Sequence, residues 1–263
     1  MTATSSVSAG AAVAVSGLVR DFGPVRALDG ATFSVGHGEI FGLLGPNGAG
    51  KTTAMRILLT LLRPTAGRAE VAGLDVLAEP VAVRRRVGWV PQEKTADPLL
   101  TTRENLLFMA GMYHLPARAA RERAADLLAL AGLDGAAGRL ARDLSGGMRR
   151  RLELAMGLVH VPAVLFLDEP TLGLDVGVRR GLWAYLREIR RSGTTVVLTT
   201  HYLDEADALC DRVAIIDRGR IRATGTPAGL KQLSGSSTLE DAFLAATGQS
   251  LAGQPPADDL VAS

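Results

Sequence analysis

The run Gly45-Pro46-Asn47-Gly48-Ala49-Gly50-Lys51-Thr52 has the residue types and spacing of a loop that wraps phosphates. Successive backbone N–H groups can close on phosphate oxygens, and glycine permits both the close approach and a positive φ. Lys51 would neutralise phosphate charge, while the Thr52 hydroxyl, with Thr53 beside it, would bind Mg²⁺. The chain holds only three lysines, Lys51, Lys94 and Lys231, so a chance match in this composition is rare.

Other residues supply what phosphate binding alone lacks. The apolar run Ala163 to Leu167 ends in Asp168-Glu169. A buried strand there delivers Asp168 toward a metal ion and Glu169 toward an attacking water. Gln92 and His201 each follow a strand-like run. Gln92 would contact Mg²⁺ or the water, and His201 the γ-phosphate. Leu144-Ser145-Gly146-Gly147-Met148 opens an arginine-rich helix and makes a second anion-binding helix start. One nucleotide already has a cradle, so the second makes sense over ATP held by another copy. The arginines Arg149, Arg150 and Arg151 read as a solvated helix face.

The elements that must position these groups follow from patterning. Val13–Val15 and Ala31–Val35 are short β runs of an antiparallel layer, flanking Gly23-Pro24. Ile40–Leu44 is a buried strand feeding the glycine-rich loop, and a helix runs from Lys51 to Leu62 before Pro64. Arg86–Val90, Ala163–Leu167, Thr194–Thr199 and Val213–Ile216 are further buried strands. Between the first two of these, residues about 96–160 form a helical insertion. It includes a capping-box helix from Thr101 to Met112 and another from Pro116 to about Leu130. Alternating strands and helices predict an α/β fold with a mainly parallel sheet and helices on both faces. Residues 1–12 read as a disordered start, and 226–263 as a tail with one helix at Leu239–Ala246.

Bulk properties exclude other classes. The content is 47% hydrophobic and 21% charged, with a formal charge of +2, too small to point to nucleic acid. No apolar run reaches the ~18 residues that span a bilayer, and the start makes a poor signal peptide. The lone cysteine, Cys210, reads as buried and fits a reducing compartment.

The ordered set of phosphate loop, Gln92, Leu144-Ser145-Gly146-Gly147, Asp168-Glu169, Gly173-Leu174-Asp175 and His201 resembles the nucleotide-binding subunit of ABC transporters, over about Val13 to Gly225. The resemblance implies a P-loop NTPase core with an antiparallel β subdomain and an inserted α-helical subdomain, ATP and Mg²⁺ as ligands, and ATP hydrolysis. It implies a head-to-tail dimer, read as a homodimer with a pair of different cassettes as the alternative, and with each ATP between one chain's Lys51 loop and its partner's Ser145, Gly146 and Gly147. Asp175 would lie at the dimer seam, and Phe22 would stack on adenine. A transmembrane permease would dock at the loop after Gln92 and the helix from Thr101 to Met109. The chain would then sit in the cytoplasm against the inner membrane face.

Met148 stands where the family usually has glutamine. Met148-Arg149-Arg150-Arg151, Tyr202-Leu203-Asp204-Glu205-Ala206 and Leu239-Glu240-Asp241-Ala242-Phe243 resemble daunorubicin-type exporters and their ABC-2 relatives. This favours an exporter of drugs or other hydrophobic compounds over an importer or a polysaccharide exporter. A non-transport ABC ATPase of DNA repair or translation is a third reading. The stretch from Thr53 to Asp143 argues against it, having neither sustained heptads nor cysteines.

Overall fold

The computed structural model describes residues 10–248 of the 263, so residues 1–9 of the predicted disordered start, and 249–263 of the predicted tail, lie outside them. Strands β1 (Val13–Phe22) and β2 (Val25–Val35) form an antiparallel hairpin turned at Gly23-Pro24. β4 (Ala66–Val71) and the short β5 (Leu74–Asp75) extend it to a four-stranded sheet in the order β2-β1-β4-β5. The second sheet has six strands in the order β10-β9-β3-β8-β7-β6. These are β3 (Ile40–Leu44), β6 (Val87–Val90), β7 (Val164–Asp168), β8 (Thr195–Thr200), β9 (Arg212–Asp217) and β10 (Arg220–Gly225). All pairings in it are parallel except that of the edge strand β10 with β9.

Strands of this sheet are apolar on both sides because both sides are covered. Along β3, Phe41 and Leu43 face one way and Ile40 and Leu44 the other. The first face carries Phe166, Val197 and Ile216 onto helix α1 (Lys51–Leu58), through Met55 and Ile57, onto α2 (Pro80–Arg86), through Val83, and onto the β1–β2 hairpin. The antiparallel sheet therefore shares this face with α1.

The opposite face packs on α5 (Gly146–Gly157), α6 (Val176–Arg191) and α7 (Leu203–Leu209), burying Leu152, Leu182, Leu186 and Leu209. Its core continues without a break into α3 (Thr102–Met112) and α4 (Ala117–Ala131). Thr101 and Glu104 close the expected capping box on α3, and Gly132 ends α4 in the left-handed region.

Three predicted features differ. Helix α1 stops at Leu58, short of Leu62, because Thr60 adopts φ 60° and lets the Leu61 and Leu62 N–H groups bond back to Arg56 O. The tail carries two helices, α8 (Pro227–Leu233) and α9 (Leu239–Thr247), where one was expected; Pro227 at N1 and the Thr226 side-chain cap start the additional helix. Ala12 is buried, with its N–H bonded to Val35 O, so the ordered chain begins before Val13.

The position of α5 depends on close backbone packing. A Cβ on Gly88 of β6 would lie 2.2 Å from Gly157 O at the end of α5. We therefore expect Gly88→Ala to cost about 1–3 kcal/mol in urea denaturation. Gly111→Ala has open space on α3 and should stabilise by up to ~1 kcal/mol. Equal effects at the two positions would contradict this packing.

Candidate active site

Each chemically active segment begins where a parallel strand ends. Leu44 of β3 pairs with Thr200 of β8, Asp168 of β7 with Thr199 of β8, and Val90 of β6 with Leu167 of β7. The carboxyl ends of β3, β8, β7 and β6 therefore meet along one edge. The glycine-rich loop, His201, Asp168-Glu169 and Gln92 follow these strands in that spatial order. They border a cleft of about 480 Å³. Pro46, Asn47, Gly48, Gly50, Lys51, Thr52, Thr53, Gln92, Glu169 and His201 all line it, with Ala27 of β2 and Leu172.

The loop is braced from beneath. Gly48 and Gly50 have φ 78° and 106°, a region costly for other residues. A Cβ on Gly45 would stand 2.3 Å from Ile216 O, so glycine is required there by contact. Gly219, in the turn between β9 and β10, donates its N–H to Ala49 O at 2.9 Å. Lys51 leads α1 and is 5% exposed, its ammonium donating to Gly45 O at 2.7 Å and Pro46 O at 3.1 Å. Burial pulls its pKa below the ordinary lysine value, with Glu169 and Asp168 pulling the other way.

Glu169 sits in the left-handed region at φ 45°, uncommon for a residue with a side chain. Its N–H is held by Thr199 through the carbonyl at 3.2 Å and Oγ1 at 3.1 Å. Its Oε1 lies 3.1 Å from His201 Nδ1 and 3.6 Å from Lys51 Nζ. Burial raises the Glu169 pKa, but His201 and then Lys51 outweigh it and hold the carboxyl below its usual value. An ionised Glu169 only accepts, so His201 Nδ1 carries the shared proton.

Asp168 is buried and accepts from Thr199 Oγ1 at 2.5 Å; Thr52 Oγ1 donates to its other oxygen at 3.3 Å. Thr52, Gln92 and Asp168 border one further pocket of about 210 Å³. These are hard oxygen donors, which suit Mg²⁺. Among the described residues no group of three or more His, Cys, Asp or Glu could cage a metal ion. A magnesium ion here would take most of its ligands from phosphate and water, its usual habit in nucleotide sites.

The remaining predicted residues lie outside the larger cleft. Ser145 caps α5, its Oγ accepting from Met148 N at 3.3 Å, and Ser145 and Gly146 are exposed. A Cβ on Gly147 would press on Val178 Cγ1 at 2.5 Å, so a side chain there would require Val178 to shift. Asp175 caps α6, accepting from Val178 N at 2.9 Å. Phe22 is exposed at the end of β1, with the Arg20 guanidinium 4.5 Å from its ring centre.

The solvated reading of the arginines is overturned. Arg150 is buried, and Arg149 and Arg151 are partly so. Each donates to backbone carbonyls: Arg149 to Ala141, Arg142 and Leu144, Arg150 to Pro91 and Pro170, and Arg151 to Ala131. Thr199 also escaped the sequence reading, although a threonine in a buried strand beside Asp168 carries a usable signal.

The fold has counterparts among known proteins. A profile of the ABC transporter family matches residues 28–172. The daunorubicin resistance ATP-binding protein DrrA2 of Streptomyces coeruleorubidus is 51% identical over 231 residues, 88% of this chain and 72% of that protein. The solved structure of cbiO1 from Clostridium perfringens, part of the ABC transporter complex cbiONQ, superposes with a TM-score of 0.79 at 27% identity, covering 86% of this chain and 91% of that one. The ATP-binding cassette MJ0796, solved as a post-hydrolysis dimer bound to ADP and Pi, gives a TM-score of 0.71 at 26% identity over 81% of this chain and 98% of that one. The chain thus belongs to the ABC transporter family, as the subunit that binds and hydrolyses ATP to power a separate permease.

Proposed function

We propose that this subunit drives an exporter of drugs or other hydrophobic compounds, working as a head-to-tail homodimer on the inner face of the cell membrane. The cassette spans residues 13–225, with its helical part at about 96–160. The likeness to DrrA2, named for daunorubicin resistance, supports the cargo class. Exposed Leu99, Phe108 and Met112, the latter two on one face of α3, support docking of a permease helix beside the Gln92 segment. No helix among the described residues is long and apolar enough to cross a membrane.

The observation that carries the catalytic reading is the convergence of Lys51, Glu169 and His201 on one cleft. Backbone N–H groups from Gly48 to Thr52 cradle the phosphates, and Lys51 turns from the Gly45 and Pro46 carbonyls to a phosphate oxygen. Thr52, Asp168 and Gln92 would hold Mg²⁺, which when bound neutralises phosphate charge. Glu169, ionised and fixed through Thr199, accepts a proton from the attacking water. His201 contacts the γ-phosphate, and Phe22 stacks on adenine. Ser145 and Gly147 lie outside that cleft, so they serve the partner's ATP, with Asp175 at the seam. Closure of the two chains excludes bulk water.

Replacing Glu169 by Gln should lower ATP turnover by about 10²-fold or more while an ATP-bound dimer accumulates on size exclusion. Phosphate release at the parental rate would remove Glu169 as the base. A second expectation concerns acid. Because the Glu169 pKa is below 4.5 in the fold, its ionised form stabilises the protein above the unfolded value, and that contribution is lost as pH falls through the folded value. The stability of the parent minus that of Glu169→Gln, measured by urea without nucleotide, should therefore shrink from neutral pH to about pH 3.5. A constant difference would contradict the pairing with His201 and Lys51.

A further inference from the structure

Arg150, in the second turn of α5, is 8% exposed, and its guanidinium reaches two other segments and Glu153 of its own helix. Nε donates to Pro170 O at 3.0 Å, and Nη2 to Asp168 O at 3.5 Å. Nη1 donates to Pro91 O at 2.9 Å and to Glu153 Oε2 at 3.0 Å. Glu153, 3% exposed, turns its other oxygen to accept from Thr95 N at 3.2 Å. One ion pair therefore grips both ends of the segment from Pro91 to Thr95, which carries Gln92. It also holds the peptides on either side of Glu169.

We propose that the Arg150–Glu153 pair is a positioning element for ATP hydrolysis, setting the Gln92 and Glu169 segments against each other from α5. This rests on the reading of Glu169 and Gln92 given above. The carbonyls it satisfies come from the Pro91 and Pro170 segments, where proline has no N–H to contribute to local pairing. Only a planar guanidinium has enough donors in fixed directions to reach all of them; a lysine ammonium is a point charge with no such fork. A purely stabilising role predicts something else. Buried ion pairs are often replaceable by apolar residues of similar volume without loss of stability. The same helix opens at Ser145, so the pair also ties these segments to the part of the chain assigned to the partner's nucleotide.

The test uses the purified full chain and two variants, Arg150→Met/Glu153→Leu and Arg150→Lys. Each is assayed for kcat and KM with ATP at a temperature where circular dichroism shows it folded. Both should keep KM within about twofold of the parent. Both should lose kcat by on the order of 10²-fold, the scale of a small misplacement of reacting groups. The double variant should do so while melting at or above the parental temperature. Parental kcat in either folded variant would overturn the proposal, as would a loss confined to KM. The companion variant Glu169→Gln separates the two readings. If it turns over normally, the base assignment fails; if it is inactive while the Arg150 variants are not, only the positioning role fails.

Discussion

The hydrogen-bonded ladder that joins β3, β8, β7 and β6 in parallel fixes which groups can meet. Segments as far apart in sequence as those after Leu44 and Thr200 leave the sheet at one edge because their strands run the same way. Neither charge attraction nor loop shape could hold Lys51, Gln92, Glu169 and His201 in one cleft without that alignment. The apolar residues that cover both faces therefore do more than stabilise the fold. They keep the ladder dry, and its register is what places Thr199 beside Asp168 and under Glu169.

Charge in the cleft is arranged on that frame. Three ionisable groups share one small space, and burial pushes both Lys51 and Glu169 toward their neutral forms. Glu169 stays ionised because His201 and Lys51 face it, and Lys51 is held by two carbonyls that a phosphate would replace on the proposed reading. The left-handed φ at Glu169 is local strain that Thr199 sustains through two bonds to one N–H. On the proposed reading this is a site prepared for an anion that one chain only half surrounds.

Much of this was legible in the sequence, for reasons that differ by element. The glycine-rich loop, the capped start of α3 and the buried strands β3, β7 and β8 carry their signals locally, in residues next to one another. The strand β4 has mostly exposed residues and a glycine, and β10 opens with two arginines around one isoleucine and ends in a glycine, so neither has an apolar run to notice. The early end of α1 depends on Thr60 in a conformation threonine seldom adopts, which no local preference announces. Arg150 was misread for a deeper reason. Its partners are backbone carbonyls from distant segments, and nothing in a row of three arginines says which one will be buried. The proposed dimer is legible only by incompleteness, in a second phosphate-type helix start at Ser145 that lies outside the cleft.

That shared site is the central claim, and complementation tests it most directly. A chain carrying Lys51→Ala and a chain carrying Ser145→Arg are each purified, mixed, and assayed for ATP hydrolysis. In a head-to-tail dimer the mixed pair has one doubly damaged site and one intact site, so turnover should rise well above that of either variant alone. If each chain holds a complete site by itself, mixing restores nothing, and the account of a nucleotide closed between two copies is wrong.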